Sequence, residues 1–444
     1  MANRFSLLFT MGLAMLFACA GVALAQTTES GSSEEAGEVI PHRYIVVLDE
    51  DVDNPESVAR DLSGRLGLET TYVYDDALEG FAAEIPAESL SAVRSNPRVE
   101  SVAKDRVIEA SGQVRPTGIK RVDAPQSSTL AGNGSGKVNA DIAILDSGIY
   151  KQHRDLNIAG GNNCVGSDKK AWSDGDGHGT HVAGTAAAKD NSIGVVGVAP
   201  GARLWAVRVL NNSGTGSFSS AICGIDWVTG RNRNGDATND IDVANMSLGE
   251  TVPGSDNGNC GWIGNGAADA MHRAICRSVK AGAFYAVAAG NDSKDFITDV
   301  PAAFDQVLTV TAMADFDGGP GGRAISTCGG NADDTFANFS NHTTVGTSDV
   351  NHTIAAPGVC IKSTWKGGGY RTLSGTSMAS PHVAGTAALC IATGDCTGSP
   401  SAVMNKLRSD ATARPASYGF VGDPNPSDPI GTPYYGYLEY AGGY

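Results

Sequence analysis

The chain has 444 residues and a formal net charge of -16, with 41% hydrophobic and 18% charged residues. Those proportions exclude a wholly disordered or wholly membrane-embedded polypeptide, and the length allows two or three domains around one large core. The acidic balance argues against a nucleic-acid partner, since phosphate binding needs clustered Lys and Arg.

In chain order, Arg4 precedes an apolar run over residues 5–18, and Ala23-Leu24-Ala25 offers a small-x-small cleavage site. The pattern predicts a signal peptide over 1–25 and a secreted, extracellular protein without a membrane span. Leu16-Phe17-Ala18-Cys19 offers a lipoprotein-type alternative, which the bulky Phe17 disfavours. Residues 26–40 are rich in Ser, Glu and Gly and read as a flexible acidic linker.

Residues 41–112 read as a small domain. Strands are expected over Arg43–Leu48, Thr70–Tyr74, Gly80–Ile85 and Val99–Ile108, and helices over Pro55–Gly67 and Pro86–Ser95. The order β-α-β-β-α-β is the ferredoxin-like α+β arrangement.

From residue 113 the pattern changes to short apolar strands alternating with helices. The strands are Asp141–Leu145, Leu204–Val209, Ile241–Met246, Phe284–Ala289 and Val307–Thr311. The helices are His178–Ala188, Phe218–Thr229, Gly266–Lys280 and Ser377–Ile391. This alternation predicts an α/β domain over 113–415, a doubly wound parallel sheet with helices on both faces. Ligands bind such sheets at the carboxyl ends of the strands. Residues 416–444 show no period and read as an irregular tail.

Three segments fall at such positions. Asp146-Ser147-Gly148-Ile149 follows a strand. His178-Gly179-Thr180-His181-Val182-Ala183-Gly184-Thr185 and Gly375-Thr376-Ser377-Met378-Ala379-Ser380-Pro381-His382 each open a helix. A serine hydroxyl is a poor nucleophile until a base takes its proton, so Ser377 needs an imidazole, supplied by His178 and oriented by Asp146. A lone aspartate at a strand end is more often a turn or helix cap; the three motifs together favour the catalytic reading.

The order Asp, His, Ser and these motifs resemble the subtilase family, on its proteinase K-like side. The resemblance implies a serine endopeptidase acting on protein or peptide substrates through an acyl-enzyme. It adds Asn291, in Ala288-Ala289-Gly290-Asn291-Asp292, whose amide would bind the oxyanion with the N–H of Ser377. Asn291 also heads an Asn-x-Ser sequon, and a glycan there would block the cleft. Substrate-binding segments are implied at Gly214, Thr215 and Gly216, at Ser247, Leu248 and Gly249, and at Ala288, Ala289 and Gly290, the last as a wall of the specificity pocket. A glycine turn is an equal reading for 213–216.

By the same resemblance the small domain is a propeptide that assists folding and inhibits the enzyme, its last strand ending at Ile108-Glu109-Ala110. An autoprocessed zymogen, monomeric once mature, is expected. An independent binding module is the alternative. No cofactor is required for the chemistry. A structural calcium is compatible with the family but has no assigned residues, because Thr353 stands where many relatives carry a metal-binding aspartate. Asp315, Asp317, Asp333 and Asp334 have suitable chemistry, although exposed turns are the simpler reading.

After Cys19 leaves with the signal, Cys164, Cys223, Cys260, Cys276, Cys328, Cys360, Cys390 and Cys396 remain. An even set in an exported chain reads as disulfides, with sequence neighbours expected to pair. Asp292 and Asp299 raise the minority expectation of an acidic specificity pocket, against a broad preference for apolar residues. The rivals to a peptidase are a non-catalytic peptide binder, which would have lost a key residue, and an esterase, which would carry G-x-S-x-G.

Overall fold

The computed structural model describes residues 39–106, 112–253, 260, 266–424 and 430–444. The expected signal peptide, nearly all of the linker and Ile108-Glu109-Ala110 lie outside the described residues. The chain divides into two units, Met1–Ala110 and Ser111–Tyr444.

The first unit runs β1 Val39–Leu48, α1 Pro55–Leu66, β2 Glu69–Tyr74, β3 Gly80–Glu84, α2 Leu90–Arg94 and β4 Val99–Arg106. Asn54 starts α1 by accepting the Ser57 N–H on its side chain at 2.8 Å, with Pro55 at the first helical position. Gly67, at φ 69°, ends it. The antiparallel sheet has the order β2-β3-β1-β4. Val58, Ala59 and Leu62 of α1 pack with Val46, Phe81 and Ile85. The helix expected over Pro86–Ser95 is reduced to α2, because Pro86 to Ser89 forms a turn with Ser89 N bonded to Pro86 O. The last residues assigned to the linker, Val39 and Ile40, already belong to β1.

The second unit contains α3 Thr117–Arg121, β5 Asp141–Asp146, β6 Ile158–Asn163, α4 His178–Ala187, β7 Arg203–Arg208, α5 Phe218–Arg231, β8 Val243–Met246, β9 Glu250–Thr251, α6 Ala267–Lys280 and β10 Phe284–Ala288. It continues with β11 Asp299–Val300, β12 Leu308–Ala314, β13 Thr335–Phe336, β14 Thr343–Thr344, β15 Thr353–Pro357, β16 Ile361–Thr364, β17 Tyr370–Leu373, α7 Thr376–Thr393, α8 Pro400–Thr412 and β18 Pro433–Tyr434. The parallel strands lie in the order β15-β12-β10-β8-β5-β7-β6. Both faces are covered, which explains the unbroken apolar strands. Ile142 and Ile144 of β5 face one core with Val182 of α4 and Val383 of α7. Ala143 and Leu145 face the other with Ile225 of α5 and Ile275 of α6. From β5 the chain moves out through β6 and β7, then returns to place β8 on the opposite flank. The strand order reverses there, and the carboxyl ends of β5 and β8 flank the crevice such a reversal creates.

The stretch expected as a tail is irregular in secondary structure but bound into the second unit. β18 pairs with β14, Ala355 N bonds Tyr437 O at 2.9 Å, and Tyr435, Leu438, Ala441 and Tyr444 are buried. Sequence neighbours join in Cys164–Cys223, Cys260–Cys276, Cys328–Cys360 and Cys390–Cys396, as expected. Among the described residues no helix is long and apolar enough to cross a membrane.

Candidate active site

Asp146 is the last residue of β5 and is wholly buried. His178 opens α4, and its Nδ1 lies 2.8 Å and 3.0 Å from the two carboxylate oxygens of Asp146. Burial pulls the imidazole pKa down, but the charge and hydrogen bond of Asp146, with Asp176 and Asp174 behind it, outweigh burial and hold it at about 9.

The loop between them is held by Asp174. One of its oxygens accepts from Ser147 Oγ at 2.9 Å, Asp176 N at 2.9 Å and Gly177 N at 2.8 Å. The other accepts from Thr180 N at 2.9 Å and Thr180 Oγ1 at 2.5 Å. Ser147 Oγ in turn accepts the Gly179 N–H at 3.0 Å, so one carboxylate ties the end of β5 to the start of α4. Sequence reasoning missed this positioning role; the aspartate four residues before His178, in a Gly-rich turn, was the available signal.

Ser377 lies in the first turn of α7, where N–H groups lack intrahelical acceptors and the helix dipole favours negative charge. Its hydroxyl donates to Ser247 O at 3.3 Å, and Ser247 Oγ donates to Ser377 O at 2.9 Å. The Ser377 hydroxyl therefore rests on the segment after β8 rather than on His178. Asn245 bonds Ser247 Oγ at 3.0 Å and Ser380 Oγ at 2.8 Å, locking that segment to α7.

Asn291 follows β10. Its side-chain oxygen accepts Thr376 N at 2.8 Å and Thr376 Oγ1 at 3.1 Å, leaving its NH2 group free of those contacts. Gly290 turns the chain at φ 106°, and a Cβ there would stand 2.4 Å from Asn341 Nδ2. Asn341, a second residue sequence reasoning missed, bonds Ala289 O at 3.1 Å and Asp292 N at 2.8 Å. Ala288 and Ala289 are buried, Leu248 is half-buried, and Gly249 is exposed. Gly214, Thr215 and Gly216 form an exposed turn after β7, whose next residues bond back to Asp146 O through Val209 N at 2.8 Å and Leu210 N at 3.1 Å.

The structure corrects the acidic-pocket expectation at Asp299. Asp299 is buried, and Asn341 Nδ2 at 2.7 Å, Thr251 Oγ1 at 2.6 Å and Lys294 Nζ at 3.0 Å surround its carboxylate. It has no free charge to offer a substrate. It also corrects the reading of Asp315, Asp333 and Asp334 as exposed turn residues. All three are buried, with Arg121 Nε 2.8 Å from Asp334 and 3.5 Å from Asp315, while burial lifts the Asp315 carboxyl to about 8. The Arg121 guanidinium sits against Asp334 and Asp315, while Asp315, Asp317 and Asp333 bring carboxylate oxygens within 4.8 Å of one another.

A second polar cluster gathers around Asp155. The Gln113 amide Nε2 lies 2.5 Å from Lys189 O and 3.2 Å from Val195 O, and its Oε1 is buried without a partner. Asp155, wholly buried, accepts Val195 N at 2.9 Å and Asn191 Nδ2 at 2.8 Å.

Comparison with known proteins agrees with the geometry. The Subtilase family profile matches residues 138–427, and the Peptidase inhibitor I9 profile matches residues 43–111. Subtilisin NAT of Bacillus subtilis subsp. natto is 33% identical over 415 residues, covering 92% of this chain and 93% of its own. Subtilisin of Bacillus pumilus is 36% identical over 306 residues, 68% of this chain and 94% of its own. A solved cold-adapted subtilisin-like serine proteinase superposes with a TM-score of 0.51 at 29% identity, covering 73% of this chain and 97% of that one. The chain belongs to the subtilase family: it is a serine-type endopeptidase preceded by an I9-type inhibitor domain.

Proposed function

We propose that the protein is a secreted endopeptidase, made as a self-processing zymogen, whose triad is Asp146, His178 and Ser377. The observation that carries this reading is the 2.8 Å contact between a buried Asp146 and His178 Nδ1, with Ser377 at the first turn of α7. In this mechanism the Ser377 hydroxyl turns from Ser247 O toward His178 Nε2, which takes its proton as Oγ attacks the scissile carbonyl. Asp146 holds the Nδ1–H tautomer and stabilises the imidazolium. The oxyanion receives the Ser377 N–H and the Asn291 NH2 group. His178 then returns the proton to the leaving amine, and water admitted through the same base hydrolyses the acyl-enzyme.

Substrate backbone would pair with the segments at 214–216 and 247–249, with Ala288, Ala289 and Gly290 walling the specificity pocket. The inhibitor domain would be released near residues 110–113. Val114 N is bonded to Gly194 O at 2.7 Å, which supports a new terminus just before that anchored point. Eight paired cysteines suit an oxidising compartment. Gln113, Asp155, Asn191 and the carbonyls of Lys189 and Val195 would hold a structural calcium, neutralising the buried Asp155. The protein is proposed to act as a monomer. The testing experiment is fluorophosphonate labelling with mass-spectrometric mapping: a single adduct on Ser377, lost in His178→Ala, is expected, and an adduct elsewhere contradicts the assignment.

A further inference from the structure

Away from the candidate active site, three side chains from two loops converge. Asp305 lies just before β12, and Asp349 and His352 lie in the turn that leads into β15, the strand paired to β12. His352 Nε2 stands 3.7 Å from an Asp305 oxygen and 3.6 Å from an Asp349 oxygen. The histidine is 2% exposed, and Nε2 has no hydrogen-bond partner.

The other ring nitrogen has a hydroxyl partner. Nδ1 lies 3.3 Å from Thr309 Oγ1, whose own hydrogen is donated to Ala302 O at 2.5 Å. Thr309 is therefore left as the acceptor, so Nδ1 donates to it and Nε2 faces the two carboxylates. The buried, orphaned Nε2 and the two carboxylates make up a nitrogen–oxygen donor set within 4.8 Å that a metal ion could bridge. The Arg408 guanidinium is engaged with Val350 O at 2.7 Å and Thr353 O at 3.3 Å.

We propose that Asp305, Asp349 and His352 form a binding site for a divalent transition-metal ion of the zinc class. Zinc binds imidazole nitrogen and carboxylate oxygen at about 2.0–2.2 Å, which sets neighbouring ligands about 3.3–3.5 Å apart on a tetrahedral centre. The two histidine-to-carboxylate separations, 3.7 Å and 3.6 Å, close to that value with a contraction of a few tenths of an ångström, and all three ligand atoms lie within 4.8 Å of one another. The Asp305 side chain is 42% exposed, so the fourth position opens toward solvent and a water ligand. The Nδ1–H contact to Thr309 is the outer partner that a metal-bound imidazole commonly has. An imidazole among three donors fits this class better than calcium, which takes about six to eight oxygens. The residue before the Ile354 segment takes no part: Thr353 donates its hydroxyl to Asp349 O at 2.7 Å. The ion would clasp the loop before β12 to the turn before β15.

The test uses the full chain, treated with a fluorophosphonate against self-digestion, stripped with EDTA and titrated with Zn²⁺, Co²⁺ and Ca²⁺ separately. One equivalent of zinc is expected to bind, raising Tm by several degrees, and cobalt should give the visible bands of an imidazole–carboxylate site. Asp305→Asn and His352→Gln should each weaken zinc binding by at least about tenfold. Asp305 is at the surface, so its variant folds even where the buried His352 variant does not. Absence of zinc uptake at micromolar concentration, stabilisation by calcium alone, or undiminished zinc binding in Asp305→Asn would overturn the proposal. The triplet would then be a structural contact between the two loops that binds no metal.

Discussion

The side-chain oxygen of Asn291 accepts two hydrogen bonds from one residue, Thr376 N at 2.8 Å and Thr376 Oγ1 at 3.1 Å. The residue before the proposed nucleophile thereby fixes which end of the Asn291 amide faces the substrate. With its oxygen occupied, the amide can offer only N–H donors to an oxyanion.

Asn291→Ala should therefore lower kcat by roughly 10²–10³ with little change in KM; that magnitude is the one known for subtilisin's own oxyanion asparagine, not one read from this structure. Thr376→Val removes one of the two bonds and should cost about tenfold in kcat. Steady-state kinetics on one peptide separates the effects. A raised KM with unchanged kcat in Asn291→Ala would assign the residue to ground-state binding.

The His178–Asp146 pair predicts opposite pH trends for stability and activity. The folded pKa of His178, about 9, lies above its ordinary 6.5. The pair's contribution to stability is thus fully present below the ordinary value and is lost as pH rises through about 9. Catalysis needs the neutral imidazole, so kcat/KM should climb over the same interval, with its acid limb above 6.5. Asp146→Asn should move that limb down and reduce kcat by roughly 10⁴, the loss seen when such a triad aspartate becomes an amide. An acid limb below 6.5 in the native enzyme contradicts the electrostatic argument.

Asp174 should behave as a positioning residue. Removing its carboxylate strands buried donors on Ser147, Gly177 and Thr180, so Asp174→Ala should destabilise the fold by roughly 2–4 kcal/mol. Asp174→Asn, which keeps an acceptor, should recover part of both Tm and kcat. Equal Tm for the alanine variant and the native protein would refute the role.

Substrate choice should ignore the acidic residues near the pocket. Because Asp299 is enclosed by Asn341, Thr251 and Lys294, peptides with Arg before the scissile bond should show no advantage in kcat/KM over those with Leu. Asp299→Asn should lower Tm while leaving the Arg-to-Leu ratio unchanged. A strong Arg preference that vanishes in this variant would restore the acidic pocket.

The strands and helices around the motifs were legible because a parallel sheet covered on both faces demands continuous apolar runs such as Asp141–Leu145. That Asp146 ends a strand and that His178 and Ser377 open helices was legible from the same alternation. The surroundings were less so. Asn341 is distant in sequence from Ala289 and Asp292, and no local pattern announces that it braces their turn. Asp299 read as a free charge because its partners come from separate loops. The 416–444 segment lacked periodicity because single residues, such as Leu438 and Tyr444, enter the core from irregular backbone.

The central claim, that Ser377 is the nucleophile and that the chain matures itself, is tested most directly by following the intact mass of the purified full chain with time. The native chain should convert to a product whose N-terminus lies near residues 110–113, and it should cleave casein. Ser377→Ala should stay uncut, stay inactive and resist fluorophosphonate. An alanine variant that releases its own N-terminal domain and digests casein at the native rate would contradict the account.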